Sequence, residues 1–95
     1  MADGFDWDEE KRAANREKHG VDFAAIDGFD WGAAFTREDE RGPYGEARFV
    51  SVGPVGARLY VAVWTAREGR VRLISLRKAN GREKKLYDEK IESED

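Results

Sequence analysis

Cysteine is absent from the 95 residues, and histidine occurs once, at position 19. Without thiols, neither disulfides nor thiolate metal sites can brace the fold, thiol catalysis is excluded, and a reducing cytoplasm is the compartment that fits. Long apolar runs are missing too. No stretch approaches the length that crosses a bilayer, and "MADGFDWDEE" lacks the basic-then-apolar order of an export signal, so no membrane contact is expected. One histidine and scattered acids give no metal-ligand spacing, and no glycine-rich loop is laid out to cradle phosphate. Neither metal nor cofactor is expected. Repeats, linkers and low-complexity stretches are lacking as well, which fits a single domain over residues 1–95, near the size where one core must be compact to suffice.

The net charge of −3 speaks against a polyanionic partner, but the distribution differs from the sum. Residues 1–10 hold five acids and no base, residues 88–95 hold five acids and one base, and the stretch between them is net +6. Within it, Arg67 to Lys85 carries eight bases against two acids. A polyanion could dock on such a strip, and so could nothing but water, since a chain that is 39% charged has a solvated surface in any case.

"FDW" reads as a short opening strand, and "DEEKRAANREKHG" as a helix with Asp8 as N-cap, Glu9 and Glu10 in its first turn and Gly20 as its stop. "DFAAIDGF" predicts a second short helix, capped by Asp22 and stapled by Val21 and Ile26. Beyond it come a weak strand over Ala34 to Arg37, a polar loop, and a stronger strand over Ala47 to Val52, with residues 28–46 the least patterned part of the chain. "ARLYVAVWTA" and "RVRLISLRKA", joined by "REGR", form an antiparallel hairpin. Asn80 and Glu83 make a capping box that opens a last helix, "GREKKLYDEKIES", whose apolar stripe is only Leu86, Tyr87 and Ile91, so it should dock lightly. The resulting fold class is α+β: two N-terminal helices and a C-terminal helix packed on a mainly antiparallel sheet of four to five strands.

Two constellations could carry chemistry. On the first helix Lys11, Asn15 and Lys18 share a face, with His19 beside it at the C-terminus. Only Ala13 and Ala14 offer that helix apolar anchorage, which makes it a poor core helix, although Lys18 and His19 would also suit the negative end of the helix dipole. On the hairpin, Arg67, Arg70, Arg72 and Arg77, followed by Lys78, place guanidinium groups on a sheet instead of a mobile loop, and fixed donors suit phosphate. Arg48 and the aromatics Trp7, Tyr60 and Trp64 could extend that surface or simply pack.

"FDWDEEKRAANREKHGVDF", "LYVAVWTAREGRVRLISLRKA" and "REKKLY" together resemble the BrnT family of bacterial toxins, in order and spacing. The resemblance implies a RelE-like α+β fold and a ribonuclease toxin of a type II toxin–antitoxin system that cleaves RNA in the cytoplasm without metal, so inhibiting translation and growth. It further implies a BrnA-like, DNA-binding antitoxin that neutralises the toxin and represses their operon as a complex, in which a toxin homodimer is one arrangement. It points to Lys11, His19, Arg67 and Arg77 as catalytic residues, and to Lys18, Arg48, Arg72, Lys78 and Tyr87 as RNA contacts. Metal-free cleavage by the 2′-hydroxyl needs a proton acceptor, a proton donor and cations, and His19 has the one side chain that titrates near neutrality. A noncatalytic RNA- or ribosome-binding module, or a protein-interaction domain, would use the same charges.

Overall fold

Each α-helix opens where a side chain can accept an otherwise unpaired amide hydrogen. The computed structural model describes residues 4–94. After a two-residue strand β1 (Phe5–Asp6), Asp8 accepts from the Glu10 amide at 2.8 Å and opens α1 (Glu9–His19). Gly20 closes it at φ 71°, a left-handed conformation that costs a residue without Cβ nothing, and its amide reaches Arg16 O at 2.8 Å.

Asp22 likewise accepts from the Ala24 amide at 3.0 Å, but the segment that follows, Phe23–Gly28, is a 3-10 helix and not the α-helix expected there. Three residues per turn eclipse Phe23 and Ile26, so both side chains are driven fully into the core, and Phe29 then turns away to bridge Val55. Among the described residues there is therefore one N-terminal α-helix instead of two. A 3-10 turn at Trp31–Ala33 leads into β2 (Phe35–Asp39), which starts one residue later than expected and runs two residues further. Then come β3 (Arg48–Val55), β4 (Arg58–Arg67), β5 (Arg70–Lys78) and α2 (Gly81–Glu94). The Asn80–Glu83 capping box forms in both directions, at 2.8 and 2.9 Å.

The strands form one sheet in the order β1-β5-β4-β3-β2. Neighbours from β2 to β5 are antiparallel, whereas β1 runs parallel to β5, so the mainly antiparallel sheet expected is a mixed one with a parallel edge strand. Side chains of β5 fasten the short strand: Arg72 forms an ion pair with Asp6, and Arg70 donates to Phe5 O at 3.2 Å. The β4–β5 turn places Glu68 at φ 54° and Gly69 at φ 75°, the pair of left-handed residues that matches the twist of a two-residue hairpin.

One face of the sheet carries the core. Ala62, Leu73 and Leu76 meet Phe23, Ile26 and Phe29, joined by Trp7 and Val21 from either side of α1 and edged by Tyr60 and Trp64. Trp7, Tyr60 and Trp64 thus serve packing. Gly53 of β3 comes so close to this layer that a Cβ would meet Ala34 Cβ at 2.8 Å and Phe29 Cζ at 2.9 Å. Over the other face lies α2, held by Tyr87, which packs edge-on against Phe35 at 5.4 Å and donates its hydroxyl to Ala33 O at 2.6 Å. Leu86 stays 54% exposed and Ile91 43%, and a cavity of about 550 Å³, walled by Phe35, Val50, Val52 and Leu86, separates α2 from β2 and β3.

Candidate active site

The arginines owe their common face to one extra residue. In a regular strand, positions five apart point to opposite sides, which would part Arg72 from Arg77. Here Val63 pairs with Ser75 and Trp64 with Leu73, leaving Ile74 as a bulge. Arg72 then lies opposite Thr65 and Arg77 opposite Val61, so both share the face turned away from the core, with Ser75 between them. Arg48 and Arg67 alternate onto that same face, whereas Lys78, opposite Tyr60, falls on the other.

α1 lies along the outer edge of β5 through a polar contact. Asn15 is its one buried residue, while Ala13 and Ala14, the expected anchors, are exposed. The Asn15 amide copies a neighbouring strand: Nδ2 donates to Leu76 O at 2.7 Å and to Val21 O at 3.0 Å, and Oδ1 accepts from Leu76 N at 3.2 Å. β1 covers the same edge at Val71 and Arg72, so the two together close a strand that would otherwise present unpaired groups. Lys11 and Lys18 remain exposed on either side of Asn15.

This docking carries His19 to Arg77. Its pKa lies below the ordinary histidine value because partial burial disfavours the imidazolium, with Lys18 and Arg77 adding like-charge repulsion. A plain cation at a helix C-terminus would be shifted upward by the dipole, so desolvation and neighbouring charge outweigh the dipole here. Lys11 stands eight residues back, about 12 Å along the helix axis. Arg67 lies six residues along β4 from the partner of Arg77, roughly 20 Å away. The four residues expected to be catalytic therefore do not converge on one point; of them, His19 lies within range of the Arg77 charge.

Arg48, Arg67, Arg72 and Arg77 are paired with carboxylates, and the lysines are not. Arg77 grips Glu83 at 2.8 and 2.6 Å, which raises the arginine pKa and lowers that of the carboxyl; Arg67 and Arg48 both reach Glu46, at 3.2 and 3.6 Å. Arg48 also stacks over the Tyr44 ring at 4.1 Å. Among the described residues no lysine takes part in an ion pair. Tyr87, expected at the RNA surface, is buried with its hydroxyl committed to Ala33. Sequence reasoning missed the carboxylates Asp6, Glu46 and Glu83 as partners: Asp6 and Glu46 reach Arg72 and Arg67 from distant parts of the chain, and Glu83 reads in the sequence only as the cap of α2. Among the described residues no three acidic or histidine side chains gather to hold a metal, and no helix is long and apolar enough to cross a membrane.

Fold and surface together define a small α+β domain with a histidine–arginine pair beside a strip of cations, a chemistry suited to phosphate. Residues 7–83 match the family described as "Ribonuclease toxin, BrnT, of type II toxin-antitoxin system", and the chain belongs to that family. It is a ribonuclease toxin, and a type II system implies an antitoxin as its partner. No curated protein sequence matches the chain. The family match spans Lys11, His19, Arg67 and Arg77 and ends at Glu83, so Tyr87 and most of α2 lie beyond it.

Proposed function

We propose that this toxin is an endoribonuclease that cuts RNA without a metal ion. The ribose 2′-oxygen attacks the adjacent phosphorus, the bond to the 5′-oxygen breaks with that oxygen taking a proton from water, and the products are a 2′,3′-cyclic phosphate and a 5′-hydroxyl. His19 takes the 2′-hydroxyl proton, and Arg77 stabilises the charge that builds on the phosphoryl oxygens. Lys11, Lys18, Arg72, Arg67 and Arg48 bind flanking phosphates, since their separations exceed the reach of a single one. The observation that supports this reading is that His19, at the docked end of α1 and within range of the Arg77 charge, has a pKa below the ordinary histidine value, so that its imidazole is neutral and able to accept a proton at pH 7.

The test is incubation of purified protein with RNA in excess chelator. Cleavage leaving cyclic-phosphate ends is expected, and His19→Ala should slow it roughly 100-fold or more, with little change in melting temperature. The acidic limb of kcat/KM should fall below pH 6.5, the ordinary histidine value. A His19→Ala variant that cleaves like the parent breaks the assignment. In the same reading the partner is a DNA-binding, BrnA-like antitoxin encoded beside the toxin gene, acting in the cytoplasm, binding one or two toxin copies and repressing the operon as the complex. Co-expression should give co-purification and relief of growth arrest; the absence of both would sink the pairing.

A further inference from the structure

The carboxylate of Glu83 ties two parts of the molecule together at one point. Oε1 accepts from Arg77 Nη1 at 2.8 Å and from the Asn80 amide at 2.9 Å, and Oε2 accepts from Arg77 Nη2 at 2.6 Å. The Glu83 amide in turn donates to Asn80 Oδ1 at 2.8 Å. The side chain is half-buried, and its pKa is lowered chiefly by Arg77, so it is a carboxylate wherever the toxin works. From this bidentate grip we infer that Glu83 is a positioning residue for RNA cleavage, orienting Arg77 toward the scissile phosphate; the inference rests on the function proposed above.

The donor count of a guanidinium supports it. Arg77 has five N–H groups. Two go to Glu83 and one to Lys78 O at 3.3 Å, which among the described residues leaves Nε–H and the second Nη2–H uncommitted. Those two hydrogens lie on one edge of the plane and match the oxygens of a phosphate as a pair. Glu83 grips the far end and fixes the plane without occupying that edge. A cap alone would need only one carboxylate oxygen, yet both are used. The arrangement costs Arg77 part of its net charge, so its benefit must lie in orientation, which matters to the transition state more than to ground-state binding.

Four variants of the full-length toxin, assayed for RNA cleavage in chelator below their melting temperatures, test this. Glu83→Ala should lower kcat about 10- to 100-fold while KM stays within about twofold. Glu83→Gln, whose single oxygen can accept from both the Asn80 amide and Arg77 Nη1 but which turns an NH2 toward Nη2, should recover only part of that loss. Asn80→Ala, which weakens the cap without touching Arg77, should cleave at the parental kcat, and Arg77→Ala should lose at least as much as Glu83→Ala. Equal losses in Glu83→Ala and Asn80→Ala would make Glu83 a cap only, and a Glu83→Ala variant faster than the parent would mean that it merely dampens the charge of Arg77. Either result overturns the positioning role. With Arg77→Ala crippled and Glu83→Ala at the parental rate, the positioning role falls and the proposed function stands; parental cleavage by Arg77→Ala removes Arg77 from both.

Discussion

Of the two α-helices, α1 buries no apolar side chain of its own yet lies tight against β5, whereas α2 brings Leu86, Tyr87 and Ile91 and touches the sheet mainly through one of them. The difference is in what each contact satisfies. Asn15 answers an N–H and two C=O groups that have no other partner at that edge, and leaving such groups unpaired in a dry place costs more than a few exposed methyls. Tyr87 makes one hydrogen bond and one ring contact. The helix that carries His19 is thus held in a fixed geometry, and the one that roofs the far face is held by Tyr87 and, at its first turn, by the ion pair of Glu83 with Arg77.

Asn15→Ala should produce the largest change: with Leu76 N, Leu76 O and Val21 O all stripped of a partner, stability should fall by about 3 kcal/mol. Thermal unfolding reads this as a drop in Tm of the order of 15 °C. A loss as small as that of a surface mutation would mean that α1 is held by something other than this amide. Tyr87→Phe, which removes only the hydroxyl bond of α2, should cost about 1 kcal/mol in denaturant melts. Leu86→Ser should be smallest, within about 0.5 kcal/mol of the parent. A clear destabilisation by Leu86→Ser would show that α2 closes over its cavity in solution, and the contrast between the helices would shrink.

Acid acts on both helices. Asp22 is held well below the usual carboxylate range by Arg12 and the Ala24 amide, and Glu83 is lowered by Arg77. A carboxyl depressed on folding lends stability that is complete above its unfolded pKa and disappears as pH falls through the folded one, so stability should hold near neutrality and decline below roughly pH 4. His19 has the same sign, because a pKa lowered on folding penalises protonation, and its share is lost first, below 6.5. Chemical denaturation across pH 3–8 checks both steps. Stability that rises on acidification would contradict them.

Features that depend on residues a few positions apart could be read from the chain alone. The caps at Asp8, Gly20 and Asp22, the Asn80–Glu83 box and the "REGR" hairpin all lie where their local chemistry put them. What escaped depends on contacts distant in sequence. "DFAAIDGF" has the signals of a helix start, but only the position of the sheet decides that Phe23 and Ile26 must stack at three-residue spacing. The parallel pairing of β1 needs Arg72 and Arg70, more than sixty residues away, and it is the position of α2 over the sheet, not the six-residue interval, that decides that Arg77 meets Glu83. The spacing groups Asn15 with Lys11 and Lys18 and offers Ala13 and Ala14 as the anchors, and nothing in it says that the Asn15 amide would stand in for a strand.

The bulge at Ile74 makes the distance between Arg72 and Arg77 a matter of parity. Five is an odd interval, and the inserted residue converts it to an even one as far as the sheet is concerned. The phase beyond this point is therefore set by whether one residue stays outside the ladder. Were Ile74 drawn into register opposite Val63, everything beyond it would rotate by half a strand period and Leu76 and Arg77 would exchange sides, whereas deleting Ile74 outright would give a regular strand with both on their present sides. In the first case a leucine would meet solvent, a guanidinium would enter the core, and Asn15 would find the wrong backbone groups at the edge. The side on which Arg77 stands thus depends on Ile74 being out of step with its partner strand, and not on its being there.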